Sequence, residues 1–297
     1  MGQVLAQRSE AAHRAFAEAD KVLGFPLSDL CFHGPAEVLT ETINAQPAIL
    51  TTSIAMLRAL QAMRPDLPQP AYLAGHSLGE YSALVAAGSL DFSDAVRLTR
   101  VRGELMARAG ERSPGSMAAI LGLADDEVAA TCKRAASETG SVVQVANYNA
   151  PGQVVISGEK PGVDRAMEIA KEAHGRSRLL AVSIAAHSAL MASIADEFAA
   201  HVEATPFDSP SVPIIGNLTA RPLANRDQIR DELVRQLTGS VRWTESVRMM
   251  VDGGADHFVE FGPGAVLTGL VKRIVPEVLA ANAAEPPYLG ELFDAAG

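Results

Sequence analysis

Basic residues are in the minority. The 25 Lys and Arg stand against 35 Asp and Glu, a net charge of −10. Nucleic-acid binding depends on phosphate neutralisation by lysine and arginine, and no segment carries a dense basic run, which sets that function aside. An acidic chain binds an anionic ligand only through a local basic pocket. Cysteine is scarcer still: Cys31 and Cys132 are the only two in 297 residues. They lie far apart in no metal spacing, which excludes a disulfide framework and predicts two free, buried thiols in a reducing compartment. No stretch reaches the roughly 18 uninterrupted apolar residues of a membrane helix. The opening MGQVLAQRSE has neither a basic n-region nor an apolar h-region and does not read as a signal peptide. The expectation is a cytoplasmic protein that binds neither membrane nor nucleic acid.

What is there is the composition of a globular α/β protein, 48% hydrophobic and 20% charged. A chain of this length buries about three-quarters of its extended surface, enough for a stable core. Ser9 is placed to cap a helix with apolar positions at Ala12, Phe16, Ala19 and Leu23, ended by Gly24 and Pro26. A second helix is predicted over 45–63. The apolar run 71–74 reads as a buried strand that enters Gly75-His76-Ser77-Leu78-Gly79 and then a helix through Ala87, closed by Gly88. Asp91 caps a further helix to about Ala109, with Gly110 at its end.

From Gly115 the rhythm changes. Strands are predicted over 116–121, 142–148, 153–157 and 178–183, and helices over 125–136 and 162–173, with a turn at Asn149-Ala-Pro-Gly. The order βαββαβ is the ferredoxin-like unit. Strand–helix alternation then resumes and ends in a strand over 255–260, a Gly262-Pro-Gly turn and a helix from about Ala265. The expected fold class is α/β: a large α/β-hydrolase-like parallel-sheet domain (1–112 and 185–297) interrupted by a ferredoxin-like subdomain (113–184).

Gly75-His76-Ser77-Leu78-Gly79 matches G-x-S-x-G, the nucleophile elbow. A serine on a sharp strand-to-helix turn projects its hydroxyl out of the sheet, and the flanking glycines leave room for the turn. The N-terminus of the next helix then faces the reacting oxygen, with the Leu78 amide as oxyanion donor. A serine hydroxyl needs a base. His76 is expected to pack away from the serine, and His13, His33, His174 and His201 to lie on the surface. Two candidates are left. His187 follows a strand across a small-residue loop, at the carboxyl-end edge where open α/β sheets bind ligands. His257 precedes Phe258 in a strand and looks more like core. The spacing favours His187 without excluding His257.

The motifs taken together narrow this. Gly-His-Ser-Leu-Gly-Glu-Tyr at 75–81, Arg102-Gly, Asn-Ala-Pro-Gly-Gln-Val-Val-Ile-Ser-Gly at 149–158 and His-Ser-Ala-Leu-Met at 187–191 resemble the malonyl-CoA:acyl carrier protein transacylases. Gln236-Leu, Val241-Arg-Trp-Thr and Phe261-Gly-Pro-Gly fit the same family, as do Cys31-Phe-His-Gly-Pro and Gln46-Pro-Ala-Ile-Leu. The match runs in order over nearly the whole chain.

The resemblance implies that Ser77 is the acylated nucleophile, that His187 is its base, and that the Gln236 backbone carbonyl orients the histidine. It implies that Arg102 pairs with the malonyl carboxylate, a task suited to the planar guanidinium fork. Met106, one turn on, faces the same way and either lines the pocket or packs in the core. The implied activity is ping-pong transfer of malonyl from CoA to the phosphopantetheine thiol of acyl carrier protein, supplying extender units for fatty acid synthesis, without metal or redox cofactor and by a monomer. Polyketide synthesis is the alternative pathway. Small Ala186 before the histidine leaves space beside the acyl α-carbon, and with it some tolerance for methylmalonyl. Arg176 and Arg178 are expected to dock the acidic carrier protein. Family members carry a strand and a Pro-Gly-Gln-Gly-Ser-Gln loop ahead of the point that Met1-Gly2 matches, and that loop's glutamine supplies the second oxyanion amide; Gln3 does not stand in for it. Two other functions stay open: a serine hydrolase using His257 with an acid, and a degenerate member that binds carrier protein without turnover.

Overall fold

Ser9 separates two helices. Its side-chain oxygen accepts the Ala12 amide and caps α2 (Glu10–Leu23), which follows α1 (Gln3–Arg8) and is closed by Gly24 at φ 73°. Ala12, Phe16 and Ala19 are buried as the spacing predicts, and Leu23 is half-buried. The structure, a computed structural model, describes residues 1–182 and 184–283. Two short helices, α3 (Leu27–His33) and α4 (Ala36–Thr40), lead into α5 (Thr42–Met63), which starts at Thr42 and contains Pro47. A proline inside a helix leaves the carbonyl four residues back without its donor. Here that carbonyl is Ile43's, and Arg100 Nη1 donates to it at 3.3 Å.

Strand β1 (Leu73–Ala74) runs into the elbow and α6 (Gly79–Ala86), with Gly88 at φ 68° behind it. Asp91 accepts the amides of Ser93 and Asp94 and caps α7 (Phe92–Arg112). The helix passes through Gly110 instead of ending there. A glycine in a helix costs only about 1 kcal/mol, and the neighbouring Ala109 is buried in the core. α5 and α7 approach closely at Gly103, where a Cβ would lie 2.8 Å from Ile43 Cα.

Four strands, β2 (Gly115–Leu121), β3 (Val143–Ala150), β4 (Gln153–Glu159) and β5 (Arg176–Leu179), form one antiparallel sheet in the order β3-β4-β2-β5. Helices α8 (Asp125–Thr139) and α9 (Lys160–Glu172) connect them and share a core with the sheet, including Ile120, Val128, Ile156 and Ile169. β5 begins two residues earlier than expected and ends at Leu179, not at 183. Gly175, packed against Leu123, delivers Arg176 directly opposite Leu121. Ser183 lies outside the described residues.

The remainder holds a 3₁₀ turn (Ala189–Ile194), α10 (Ala195–Ala204), β6 (Ile214–Ile215), β7 (Pro222–Leu223), α11 (Arg226–Gln236), α12 (Trp243–Asp252), β8 (His257–Glu260), α13 (Val266–Ile274) and β9 (Leu279–Asn282). Parallel pairing does occur, but in two separate places among the described residues: β1 with β6, and β8 with β9. The mixed α/β class expected from the sequence is present, with short parallel pairs. The elbow cuts β1 to two half-buried residues, and β7 joins antiparallel at the edge, where Pro222 has no amide to offer a further strand. The last residues assigned to the large domain, 284–297, lie outside the described residues. Among those described, no helix is long and apolar enough to cross a membrane.

Candidate active site

Gly75 makes the elbow possible. A Cβ there would sit 2.0 Å from the Gly79 carbonyl group, so only glycine lets the strand fold back against the start of α6. Ser77 occupies the left-handed region at φ 51°, a conformation that non-glycine residues hold only under tertiary constraint. Asn217 supplies it. Its Oδ1 accepts the Ser77 amide at 2.7 Å while its Nδ2 donates to the Gly75 carbonyl at 2.8 Å, so both arms of the turn are fastened to one side chain. With the Ser77 amide committed, the Leu78 amide is the elbow donor left for an oxyanion; it donates to no acceptor among the described residues.

The Ser77 hydroxyl lies 2.8 Å from His187 Nε2. His187 is also at positive φ, 57°, just ahead of the 3₁₀ turn that Ser188 caps. Its Nδ1 donates to the Gln236 main-chain carbonyl at 2.8 Å, which puts the ring proton on Nδ1 and leaves Nε2 as the acceptor facing Ser77. Burial, then the nearby Arg102 charge, pulls the imidazole down to about 3. The neutral carbonyl partner offsets this far less than a carboxylate would.

Arg102 is 2% exposed, unlike Arg97, Arg100 and Arg108 of the same helix, which pair with Asp94, Glu104 and Glu197. Nη1 donates to Gln46 Oε1 at 2.7 Å, and Nη2 to Gln236 Oε1 at 3.0 Å and to Ser77 Oγ at 3.2 Å. Its carbon lies 5.7 Å from the centre of the Tyr81 ring. A guanidinium aimed at the serine oxygen is a ready site for an anionic group carried on that oxygen. Met106 does face the same side: its sulfur accepts from Gln46 Nε2 at 3.4 Å, and the side chain is also part of the core. Ala186 is half-buried against both the main core and the inner face of the antiparallel sheet.

Four residues at this centre escaped the sequence reading. Asn217 is one. Glu80, buried in α6, accepts from the Asn217 amide (3.0 Å) and Nδ2 (3.2 Å) and from Gln236 Nε2. Burial and then Glu232 push its carboxyl well above the usual range, while the hydrogen bonds from Asn217 and Gln236 and the Arg102 charge act the other way. Gln46, quoted from the sequence only as part of a motif, holds Arg102. Gln144 of β3 donates to the carbonyls of His187 (3.2 Å) and Thr238 (3.1 Å) and accepts the Ala189 amide. The antiparallel sheet thereby clamps the histidine loop, and it is itself stitched to the chain before α12 by Tyr148 N to Val241 O and Val241 N to Ala146 O, each 2.8 Å.

The other histidines separate clearly. His76 Nε2 binds Asn149 Oδ1 at 2.8 Å and packs on Trp243, and His13, His33, His174 and His201 are exposed. His257 is a correction. It is exposed at the start of β8, paired with Asp256 and not in the core, because the first residue of the strand turns its ring to the side chain just before it. The hydrolase pairing of Ser77 with His257 is not formed. Cys31 and Cys132 are free and buried, their thiols pushed up by burial to about 11 and about 12. Among the described residues no three His, Cys, Asp or Glu side chains converge as a metal site. Arg176 and Arg178 are far from neither solvent nor each other: both are exposed on β5 and, with Arg273 of α13 and Leu179, line a groove of about 610 Å³. A second cavity of about 620 Å³ lies between α8 and the 238–245 stretch, and Ser77 does not line it.

Residues 1–291 match the family model of the acyl transferase domain. The chain belongs to that family. It is 48% identical over 280 residues to the malonyl CoA-acyl carrier protein transacylase of Escherichia coli (strain K12), covering 94% of this chain and 89% of that protein. It is 45% identical over 278 residues to the protein of the same name from Bacillus subtilis (strain 168), covering 92% and 86%. Among solved structures, a malonyl-transacylase in complex with a type II PKS acyl-carrier protein superimposes with a TM-score of 0.95 at 42% identity, covering 99% of this chain and 94% of that one. An acyl carrier protein S-malonyltransferase from Vibrio cholerae gives 0.91 at 43% identity, with the same coverage. At the centre of the site a serine oxygen, an imidazole nitrogen able to accept and a buried guanidinium meet.

Proposed function

We propose that the chain transfers a malonyl group from coenzyme A to the phosphopantetheine thiol of an acyl carrier protein, by way of an ester on Ser77. The observation that carries this reading is the Ser77 oxygen, held at once by His187 Nε2 at 2.8 Å and by Arg102 Nη2 at 3.2 Å. An ordinary esterase has no use for a buried guanidinium beside its nucleophile; an acyl group ending in a carboxylate does.

In the first half-reaction His187 Nε2 takes the hydroxyl proton as Ser77 Oγ attacks the thioester carbonyl. The oxyanion forms against the Leu78 amide at the start of α6, and collapse expels the CoA sulfur, which leaves with the proton from His187. The malonyl carboxylate replaces Ser77 Oγ as the acceptor of Arg102. In the second half-reaction the pantetheine thiol gives its proton to His187, attacks the ester and returns Ser77 to its hydroxyl form. Gln236 contributes its carbonyl by keeping the imidazole in the tautomer that can accept at Nε2. No step draws on a metal or redox group.

The same reading takes 1–112 and 185–297 as an α/β-hydrolase-like catalytic unit and 113–184 as a ferredoxin-like insert; the strand order β3-β4-β2-β5 supports the second assignment. Met106 and Ala186 line the acyl pocket, with malonyl the main substrate and methylmalonyl tolerated beside Ala186. The acidic carrier protein docks at Arg176 and Arg178. The protein acts as a cytoplasmic monomer and supplies extender units for fatty acid synthesis.

The test is intact-protein mass spectrometry after exposure to malonyl-CoA and methylmalonyl-CoA, beside Ser77→Ala and Arg102→Ala. A malonyl adduct that vanishes in Ser77→Ala and weakens in Arg102→Ala is the expected result. No adduct on a folded chain overturns the proposal, and labelling by methylmalonyl-CoA alone overturns the substrate assignment.

A further inference from the structure

Glu80 touches no reacting atom, yet it is fully buried in α6 with no ion-pair partner among the described residues. Arg102, 2% exposed, likewise has no carboxylate within ion-pair distance among them. A buried charge without a countercharge is costly, so two such residues close together call for an account. The Gln236 side chain stands between them. Its Oε1 accepts from Arg102 Nη2 at 3.0 Å, and its Nε2 donates to Ser77 O at 3.1 Å and to Glu80 Oε2. Both protons of that amide nitrogen are therefore committed. Turned over, the amide would set its NH₂ against the guanidinium and its oxygen against the carboxylate and the Ser77 carbonyl. Glu80 Oε1 meanwhile accepts twice from Asn217. Both oxygens act as acceptors, an arrangement that favours the ionised carboxylate and works, with the Arg102 charge, against the burial and the Glu232 carboxyl that push the group up.

We propose that Glu80 is a positioning residue that sets the acyl-group selectivity of the site: through the Gln236 amide it holds the Arg102 guanidinium in the plane that receives the acyl carboxylate. Gln236 thus has two separate duties, its main-chain carbonyl fixing His187 and its side chain carrying the Glu80 charge to Arg102. Without that charge, nothing stops the amide from turning its NH₂ toward Arg102 and displacing it. A neutral acyl group offers the guanidinium no carboxylate, so it loses only what reaches the elbow through Asn217, the Gln236 bond to the Ser77 carbonyl and the Arg102 contact with Ser77 Oγ, a loss that malonyl shares. The inference rests on the malonyl reading above.

The experiment measures the rate of Ser77 acylation by malonyl-CoA and by acetyl-CoA in the wild-type chain, in Glu80→Gln and in Gln236→Met. The second variant cuts the same link while keeping Glu80, Asn217 and the main-chain carbonyl, and serves if Glu80→Gln does not fold. In each folded variant the malonyl-to-acetyl rate ratio should fall roughly tenfold or more, as loss of a charge-assisted contact implies. A ratio equal to that of wild type, with both rates lowered together or neither, overturns the proposal, since a purely structural role moves both alike. Wild-type protein acylated no faster by malonyl-CoA than by acetyl-CoA would instead sink the malonyl reading, while the change of ratio on substitution still decides the part of Glu80.

Discussion

Ser77 and His187 meet at 2.8 Å across 110 positions of sequence, and each holds a positive φ, 51° and 57°, to do so. The strain is local, and each turn is held by a side chain from a distant segment: Asn217 for the serine, Gln144 for the histidine. The site is thus a pair of sprung turns fastened by amides, and its reactivity should depend on those fastenings as much as on the reacting groups.

Asn217→Ala tests the first fastening. It leaves the Ser77 amide and the Gly75 carbonyl without partners and removes one of the donors to Glu80, so denaturant unfolding should show a loss of about 1–3 kcal/mol. Displacement of the nucleophile should slow acylation on the order of a hundredfold. Full stability and rate in this variant would show that the elbow holds itself.

The imidazole gives a pH prediction. His187 sits at about 3 in the folded chain because of burial and then Arg102, against about 6.5 when unfolded. Below pH 6.5 the unfolded chain takes up a proton that the folded site refuses. This contribution to stability is therefore complete above 6.5 and is lost as the pH falls toward 3, by at most about 1.4 kcal/mol per pH unit. The same shift keeps the base neutral, so the acylation rate should stay level from about pH 8 to pH 5 for want of an imidazole titrating near 6.5. A rate that halves close to 6.5 would contradict the buried site.

Gly75→Ala tests the steric argument for the elbow. The added methyl meets the Gly79 carbonyl group at 2.0 Å, backbone that cannot move without unwinding α6. A loss of at least about 3 kcal/mol in urea titration is expected, and a variant of native stability would show that the turn relaxes.

The docking proposed at Arg176 and Arg178 predicts a split in kinetics. Arg176→Glu/Arg178→Glu should raise KM for carrier protein and leave acylation by malonyl-CoA unchanged, because both residues lie on exposed β5 and a rim charge acts mainly on encounter. Unchanged carrier-protein kinetics would remove β5 from the docking surface.

The elements were legible where the signal was local. Ser9, Asp91 and the glycines at 24 and 88 mark helix ends at the positions found, since a cap depends only on its own turn. Where an end depended on packing, the sequence misplaced it: α7 runs on through Gly110, and β5 takes its start from the register with β2. Which strands pair in parallel was not legible for the same reason, because the pairing of β1 with β6 joins segments about 140 residues apart.

By itself the sequence determined the elbow: a strand, two glycines and a helix start leave Ser77 one way to point, and steric exclusion at Gly75 operates within five residues. It also determined which residues were eligible for the chemistry. Only the tertiary structure decided among them. Of five arginines on α7 it fully buried Arg102 alone, at the position that faces Gln46, Gln236 and Ser77. It chose His187 over His257, and it enlisted Glu80, Asn217 and Gln144, whose type and spacing carry no mark of the site. Hydrogen bonds and buried charge act over a few ångströms in space, and no pattern along the chain records which distant segments the core will bring within that reach.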